Sequence, residues 1–429
     1  MRLSTLVSNL TSQSLVSVLV VLLIATGLGA FGTTYSVYHI MSSNPMSDGQ
    51  HNTRYVIIDD WSPDKDLQWL PPLLSYQDGT ALLELLGEGK GALTYDSKLV
   101  AQQPDSSYVY ELTTRATTPD FFSIFRAQFK YGAPWSMAED INRTAVVVLS
   151  HHANKVLFDS KDSVGQLVYL DSKAYTVVGV LKDFEMTPKV YDLHVDPYAA
   201  TEDLYIPFYT AIENDVLPHG RLLGWRDEPI SGFRDVLTTS MIWLQLWTQF
   251  DSTQSMAAFR SALAGYTEQQ FLKGRMLRGR DQFELLTPAQ WLQRNQVVNS
   301  DSKLLLILAV VFLVICLVCV AALLFASYAT RRRSLNVYRA LGASKQYVSR
   351  LLFAELSLLA LSGCSLGLLL TALGLSYMEK LYGSSYQQVA SLDITPIIIA
   401  AACCLLGVVL ASVLPISQCC HSKSIYIRR

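Results

Sequence analysis

The stretch Arg331–Glu355, RRRSLNVYRALGASKQYVSRLLFAE, decides how the rest of the chain is read. It lies between two long apolar runs and carries Arg331, Arg332, Arg333, Arg339, Lys345 and Arg350. A short basic loop between two membrane spans stays on the cytoplasmic side, so these charges orient the chain. Leu341, Val348, Leu351 and Leu352 recur at roughly helical spacing, with the charges on other faces. Gly342 suits a left-handed helix end, and Ser344 suits the cap of the next helix. The pattern predicts a helix leaving the membrane, a tight surface turn, and a helix going back in. Such a knuckle suits being pushed by a cytoplasmic partner.

Composition points the same way. The chain has 429 residues, enough for two or three domains. Half of it is hydrophobic and only 16% is charged, below the quarter usual for soluble domains. A net charge of -2 gives no case for nucleic-acid binding. Cys316, Cys319, Cys364, Cys403 and Cys404 lie in apolar runs, and Cys419 and Cys420 follow the last one. The stretch from His39 to Ser302 has none, which excludes a disulfide framework there. The spacing of Cys316 and Cys319 reads as helix packing, and Cys419-Cys420 as small thiols rather than lipid anchors.

The expected fold is a membrane protein of four transmembrane α-helices, with a large α+β extracytoplasmic domain inserted between the first and second spans. Residues 1–14 form an interfacial segment and 15–38 the first span. That span is too long for a secretory h-region and lacks a small-residue cleavage site, so it is read as uncleaved. Residues 39–302 form the outer domain, 303–330 the second span and 331–354 the coupling loop. The third span is 355–377, the short outer loop 378–394, the fourth span 395–416 and the tail 417–429. Gly363, Gly367 and Gly374 are spaced to let helices approach closely. Basic residues mark 331–350 and the tail, while 378–394 carries only Glu379, Lys380 and Asp393. Both termini are therefore expected in the cytoplasm. Four spans without an internal repeat are too few for a self-contained transporter of the inverted-repeat kind.

Within the outer domain, strands are expected at Arg54–Asp59, Ser107–Thr117, Ala145–Ser150, Asp203–Phe208 and Met241–Phe250. A hairpin is expected over Val164–Leu181, turning at Asp171-Ser172-Lys173. Helices are expected at Thr80–Leu86, after Pro119, at Thr253–Lys273 and from Pro288 through PAQWLQRNQVVNS.

No motif supplies chemistry. Gly87-Glu88-Gly89-Lys90-Gly91 lacks the spacing of a phosphate-binding loop and reads as a turn. Leu361-Ser362-Gly363-Cys364 lies inside a span. His151 and His152 are adjacent and point in different directions, with no HExxH frame, which disfavours a metal. Asp59 and Asp60 show no paired catalytic pattern, and no GxSxG element exists. Trp225, Trp243 and Trp247 read as core and interface more readily than as a ligand surface. Glu355 is an ionisable group at a membrane edge, either an exposed carboxylate or a partner of the knuckle arginines.

Two resemblances follow. Arg331-Arg332-Arg333, Tyr338 to Ser344 (YRALGAS) and Leu351 to Glu355 (LLFAE) resemble the start of the FtsX-like permease domain of MacB-family ABC transporters. Phe121-Phe122, Ala145–Ser150, Val164-Gly165 and Tyr175–Val180 resemble the periplasmic core domain of MacB-type permeases. That core holds an inserted subdomain in the family, which implies an insert at about 118–238 here. The resemblance implies a permease dimer in a bacterial inner membrane, docked to two separate ATPase subunits. ATP and magnesium would sit on those subunits, with no cofactor and no catalytic residue on this chain. The implied ATPase-coupling residues are Arg331, Arg332, Arg333, Arg339, Ala340, Leu341, Gly342, Ala343, Ser344 and Glu355.

The resemblance also implies mechanotransmission, with efflux of a peptide, toxin or drug-like substrate through a periplasmic adaptor and an outer-membrane channel. The tail QCCHSKSIYIRR lacks the family's Pro-x-x-Ala-Leu-Arg-like docking element, which points to a heterodimer with a second permease. Lipoprotein release and control of cell-wall hydrolases are the alternatives within the family. A sensor of extracytoplasmic peptides is the alternative outside it.

Overall fold

In the computed structural model the chain separates into two units, Met1–Ser43 with Val298–Arg429, and Asn44–Val297. The described residues are 14–42, 45–46, 52–61, 72–87, 90–104, 107–194, 196–220, 222–277, 282–297, 300–331, 337, 342–382, 398–399, 401–402, 405–406 and 409.

The first unit is helical: α1 (Ser14–Ser42) here, with two further long helices that follow the second unit. The second unit begins with β1 (Thr53–Ile58), β2 (Leu74–Ser75), α2 (Tyr76–Leu85), β3 (Lys90–Gln102), β4 (Val109–Thr117), α3 (Asp120–Ile124) and β5 (Phe129–Gly132). It continues with α4 (Met137–Ile141), β6 (Val146–Leu149), α5 (His151–Phe158), β7 (Leu167–Leu170), β8 (Lys173–Leu181), β9 (Leu204–Pro207) and α6 (Phe208–Glu213). It ends with α7 (Phe233–Val236), β10 (Ile242–Gln249), α8 (Thr253–Leu272), β11 (Phe283–Leu286) and α9 (Pro288–Arg294). The chain then returns to the first unit as α10 (Ser300–Thr330) and α11 (Lys345–Tyr382).

Local chemistry starts these helices. The hydroxyls of Ser75, Ser150, Ser252 and Thr287 cap α2, α5, α8 and α9 by accepting from a backbone N–H one turn in. Among the described residues the strands join in one eleven-stranded sheet, ordered β11-β1-β10-β3-β4-β9-β6-β8-β5. Two pairs are parallel, β4 with β9 and β6 with β8. β7 pairs with both β3 and β8, so β3, β4, β9, β6, β8 and β7 close into a ring without a free edge there. The stretch 118–238, anticipated as an insert, supplies β5 to β9 of this sheet. The core packs Tyr55 of β1 face to face on Trp291 at 3.9 Å and against Trp247 at 5.1 Å. Trp243 and Trp247 are buried.

Three differences from the sequence reading stand out. Lys90 and Gly91, read as part of a turn, already belong to the long strand β3, although Gly87 does take a turn conformation at φ 59°. The helix from Pro288 ends at Arg294, and Gln296 turns left-handed at φ 48°. β2, the long β3, and the four-residue β5 and β11 were not anticipated.

Among the described residues three helices are long and apolar enough to cross a membrane: Leu15–His39, Ser302–Thr330 and Gln346–Met378. The expected fourth span is described only at 398–399, 401–402, 405–406 and 409, all helical. At 38 residues α11 is about 57 Å long, well beyond a hydrocarbon core of about 30 Å. Its first turns, from Lys345, occupy the end of the anticipated 331–354 loop.

α1 and α11 run side by side in the same direction. A Cβ on Gly363 would lie 2.8 Å from Ile24, one on Gly367 2.9 Å from Leu28, and one on Gly374 2.5 Å from Thr33. The seam is reciprocal, because Gly29 and Gly32 of α1 face Leu370 and Thr371 in the same way. Small residues let backbones approach where lipid supplies no hydrophobic drive between helices.

Candidate functional site

The knuckle is built from two helix ends. α10 closes at Thr330, and the Arg331 N–H still bonds the Ser327 carbonyl at 3.2 Å. Gly342 sits at φ 96°, a backbone conformation that a side chain strains. Ser344 then accepts from the Tyr347 N–H at 3.2 Å and caps α11.

Along α11, Val348, Leu351, Leu352, Glu355, Leu356 and Leu359 are buried, spaced three and four apart. Glu355 is thus a carboxylate set in an apolar stripe. Its Oε2 accepts from Arg331 Nη1 at 2.9 Å, and the carboxylate side chain is only 4% exposed. Ser17 and Val20 of α1, with Leu324 and Tyr328 of α10, line the same small recess. The pair therefore joins the end of α10 to the start of α11 at a place where all three helices meet. Removing a partner from a buried carboxylate costs about 1–3 kcal/mol, so this tie resists separation of the two helices.

Of the expected coupling residues, the structure brings Arg331 and Glu355 together and uses Gly342 and Ser344 in the turn and cap. Ala343 lies half-buried between them. Arg332, Arg333, Arg339, Ala340 and Leu341 lie outside the described residues. Among the described residues no group of three His, Cys, Asp or Glu side chains could hold a metal. His152 Nδ1 instead meets Asp203 at 2.8 Å on the surface. Cys316 is buried and Cys319 exposed on α10.

The α+β unit holds a buried charge cluster that sequence reading missed. Arg115 of β4 bonds Asp192, and Glu202 at 2.6 Å. Lys189 reaches Glu202 at 3.1 Å, and the Tyr191 hydroxyl donates to its other oxygen at 2.9 Å. Burial works against the Glu202 carboxylate, but Arg115 and Lys189 outweigh it and hold the group down at about 2. Two cations balance two anions, and the cluster pins the irregular crossover from β8 to β9 onto the sheet. The one signal available in advance was an arginine among the small, mostly threonine residues at the end of β4.

Comparison with known proteins covers both units. The family model for the MacB-like periplasmic core domain matches residues 17–266, and that for the FtsX-like permease C-terminal domain matches 306–423. No curated protein matches the chain. Among solved structures, it is similar to the periplasmic region of MacB from Actinobacillus actinomycetemcomitans. The identity there is 13% and the TM-score 0.37, over 60% of this chain and 99% of that one. It is also similar to the extracellular domain of the noncanonic ABC-type transporter YknZ from Gram-positive bacteria. That match has 12% identity and a TM-score of 0.35, over 55% of this chain and 100% of that one. With both scores below 0.5, the assignment rests on the two family models. The chain belongs to the MacB/FtsX-type family of ABC transporter permeases.

Proposed function

We propose that this chain is the permease subunit of a MacB-like ABC transporter, coupling ATP hydrolysis on a separate ATPase to movement of its α+β unit. The family is typically a non-catalytic transmembrane subunit, and its membership implies an ABC ATPase partner. The reading places both termini and the knuckle on the cytoplasmic face of a bacterial inner membrane, with the α+β unit on the other face. Four spans, a second permease subunit in a heterodimer, and efflux through an adaptor and an outer-membrane channel belong to the same proposal.

The observation that carries it is the bond from Arg331 to the buried Glu355 carboxylate. A push on the turn cannot be absorbed by the loop alone, because the pair ties the end of α10 to α11. The seam of Gly363, Gly367 and Gly374 then ties α11 to α1. Displacement at the turn is thereby handed to three helices at once. ATP and magnesium are assigned to the partner.

The test is to purify the tagged chain from native membranes in mild detergent, identify co-purifying chains and assay ATP hydrolysis. The expected result is a bound ATPase subunit whose activity collapses when Arg339 and Leu341 are replaced. A chain that purifies alone, with no ATPase bound, sinks the coupling role.

A further inference from the structure

Arg275, just past the end of α8, gives two N–H groups to Asp78 of α2: Nη1 to Oδ2 at 2.9 Å, and Nη2 to Oδ1. Asp78 also accepts from the Tyr266 hydroxyl at 2.8 Å and from the Ser75 hydroxyl at 2.5 Å. It is buried and well supplied with donors. A second carboxylate, Asp60 just past β1, lies 3.6 Å from the same guanidinium. Asp60 is only 4% exposed, and neither of its carboxylate oxygens has a hydrogen-bond partner.

The backbone around it is held firmly. Trp225 Nε1 donates to the Asp60 carbonyl at 2.8 Å, and Arg226, stacked on Trp225 at 4.7 Å, donates to the Arg275 carbonyl at 2.5 Å. Four segments of the α+β unit therefore converge here: the end of β1, the start of α2, the 225–226 loop and the turn after α8.

A buried carboxylate without donors is costly when ionised and cheap when protonated. We propose that Asp60 is a proton-operated latch: protonated, it lets the four segments close around Arg275, and ionised, it loosens them. The groups facing it are Asp59 beside it, Asp78 from α2, Tyr266 from α8, Arg275 from the following turn and Arg226 from the loop. Burial pushes its carboxyl up to about 7, Asp78 adds to the rise, and Arg275 and Arg226 only partly offset it. Because the folded value is raised, the latch contribution is full in acid and is lost as pH rises through about 7. The latch goes beyond the transport reading and does not depend on an ATPase.

Hydrogen–deuterium exchange of the full-length chain in lipid nanodiscs, at about pH 6, about pH 8 and steps between them, tests it. After correction for intrinsic exchange, amides of residues 53–60, 75–86, 223–228 and 270–277 should exchange roughly tenfold faster at the higher pH. Amides of β3 and β4 should not follow. Asp60→Asn, which keeps the shape of the protonated group, should abolish the difference. Asp78→Asn removes the neighbouring negative charge that helps raise the Asp60 carboxyl and should move the transition about one pH unit lower. A wild-type chain with no pH difference in the four segments overturns the latch. So does an Asp60→Asn chain that keeps the full difference, or an unmoved midpoint in Asp78→Asn.

Discussion

Arg331 Nη1 meets Glu355 Oε2 at 2.9 Å, joining the first residue after α10 to the fourth buried position of the α11 stripe. The bond spans 24 residues of sequence and closes the knuckle from beneath. It makes Arg331 part of the helical packing.

Replacing one partner should therefore cost more than replacing both. Glu355→Leu or Arg331→Met alone removes one partner of a bond whose carboxylate is buried, at a cost of about 1–3 kcal/mol. The double variant removes both charges and should recover most of that loss. Thermal unfolding of the purified chain, analysed as a double-mutant cycle, reads the coupling. Additive losses would deny that the two groups act as a pair.

The seam between α1 and α11 leaves no room for a branched side chain. Gly367→Val puts atoms into Leu28, where even a Cβ would come within 2.9 Å. Overpacking of this kind costs about 1–3 kcal/mol. Gly265, on α8, meets nothing within 4 Å, so Gly265→Ala is the matched control. Unfolding midpoints should fall for the first variant and hold or rise for the second.

Arg115→Met should destabilise the α+β unit by about 3–5 kcal/mol, since Asp192 and Glu202 stay buried with one cation fewer. The acid limb reports the cause. Glu202 contributes stability above its ordinary value of 4.5, and that stability is lost as pH falls towards about 2. Losing Arg115 raises the Glu202 carboxyl, so acid unfolding should begin at a higher pH. Circular dichroism against pH measures the shift.

Asp140 gives the opposite slope. It is buried, and Oδ1 accepts from the Tyr209 N–H at 2.9 Å while Oδ2 has no partner. Burial pushes its carboxyl from 3.8 up to about 7, and the bonds from the α6 backbone pull against that rise. Its contribution is full below 3.8 and is lost as pH rises through about 7. Asp140→Asn should flatten that part of the stability profile, where one proton accounts for a slope of up to about 1.4 kcal/mol per pH unit. Exchange at 137–144 and 208–216 separates this carboxyl from Asp60.

Local pattern was enough for the elements that carry their own period. The apolar runs of α1 and α10, the alternation at β1, β4, β8 and β10, and the capped helix α8 all follow from neighbouring residues. The knuckle was legible for the same reason: Gly342 and Ser344 act through their own backbone. Glu355 stands seven residues after Val348 on the same stripe, but the sequence left open whether it was exposed or paired, and the structure buries it against Arg331.

Strand β3 was missed because Asp96, Ser97 and Lys98 break its alternation. Two of these positions find partners far along the chain. The Asp96 carbonyl accepts from the His219 N–H at 2.9 Å, and the Ser97 hydroxyl donates to the Leu217 carbonyl at 2.7 Å.

The sequence by itself determined the membrane class, the α+β middle and the turn chemistry of the knuckle, because each depends on residues within a few turns of one another. Tertiary structure alone decided the closed ring of strands, the Arg115–Glu202 cluster, whose partners stand 87 residues apart, and the sharing of Arg275 between Asp60 and Asp78. A charge becomes a tie or a latch only when folding strips its water and sets its partner within reach, and no local spacing encodes that.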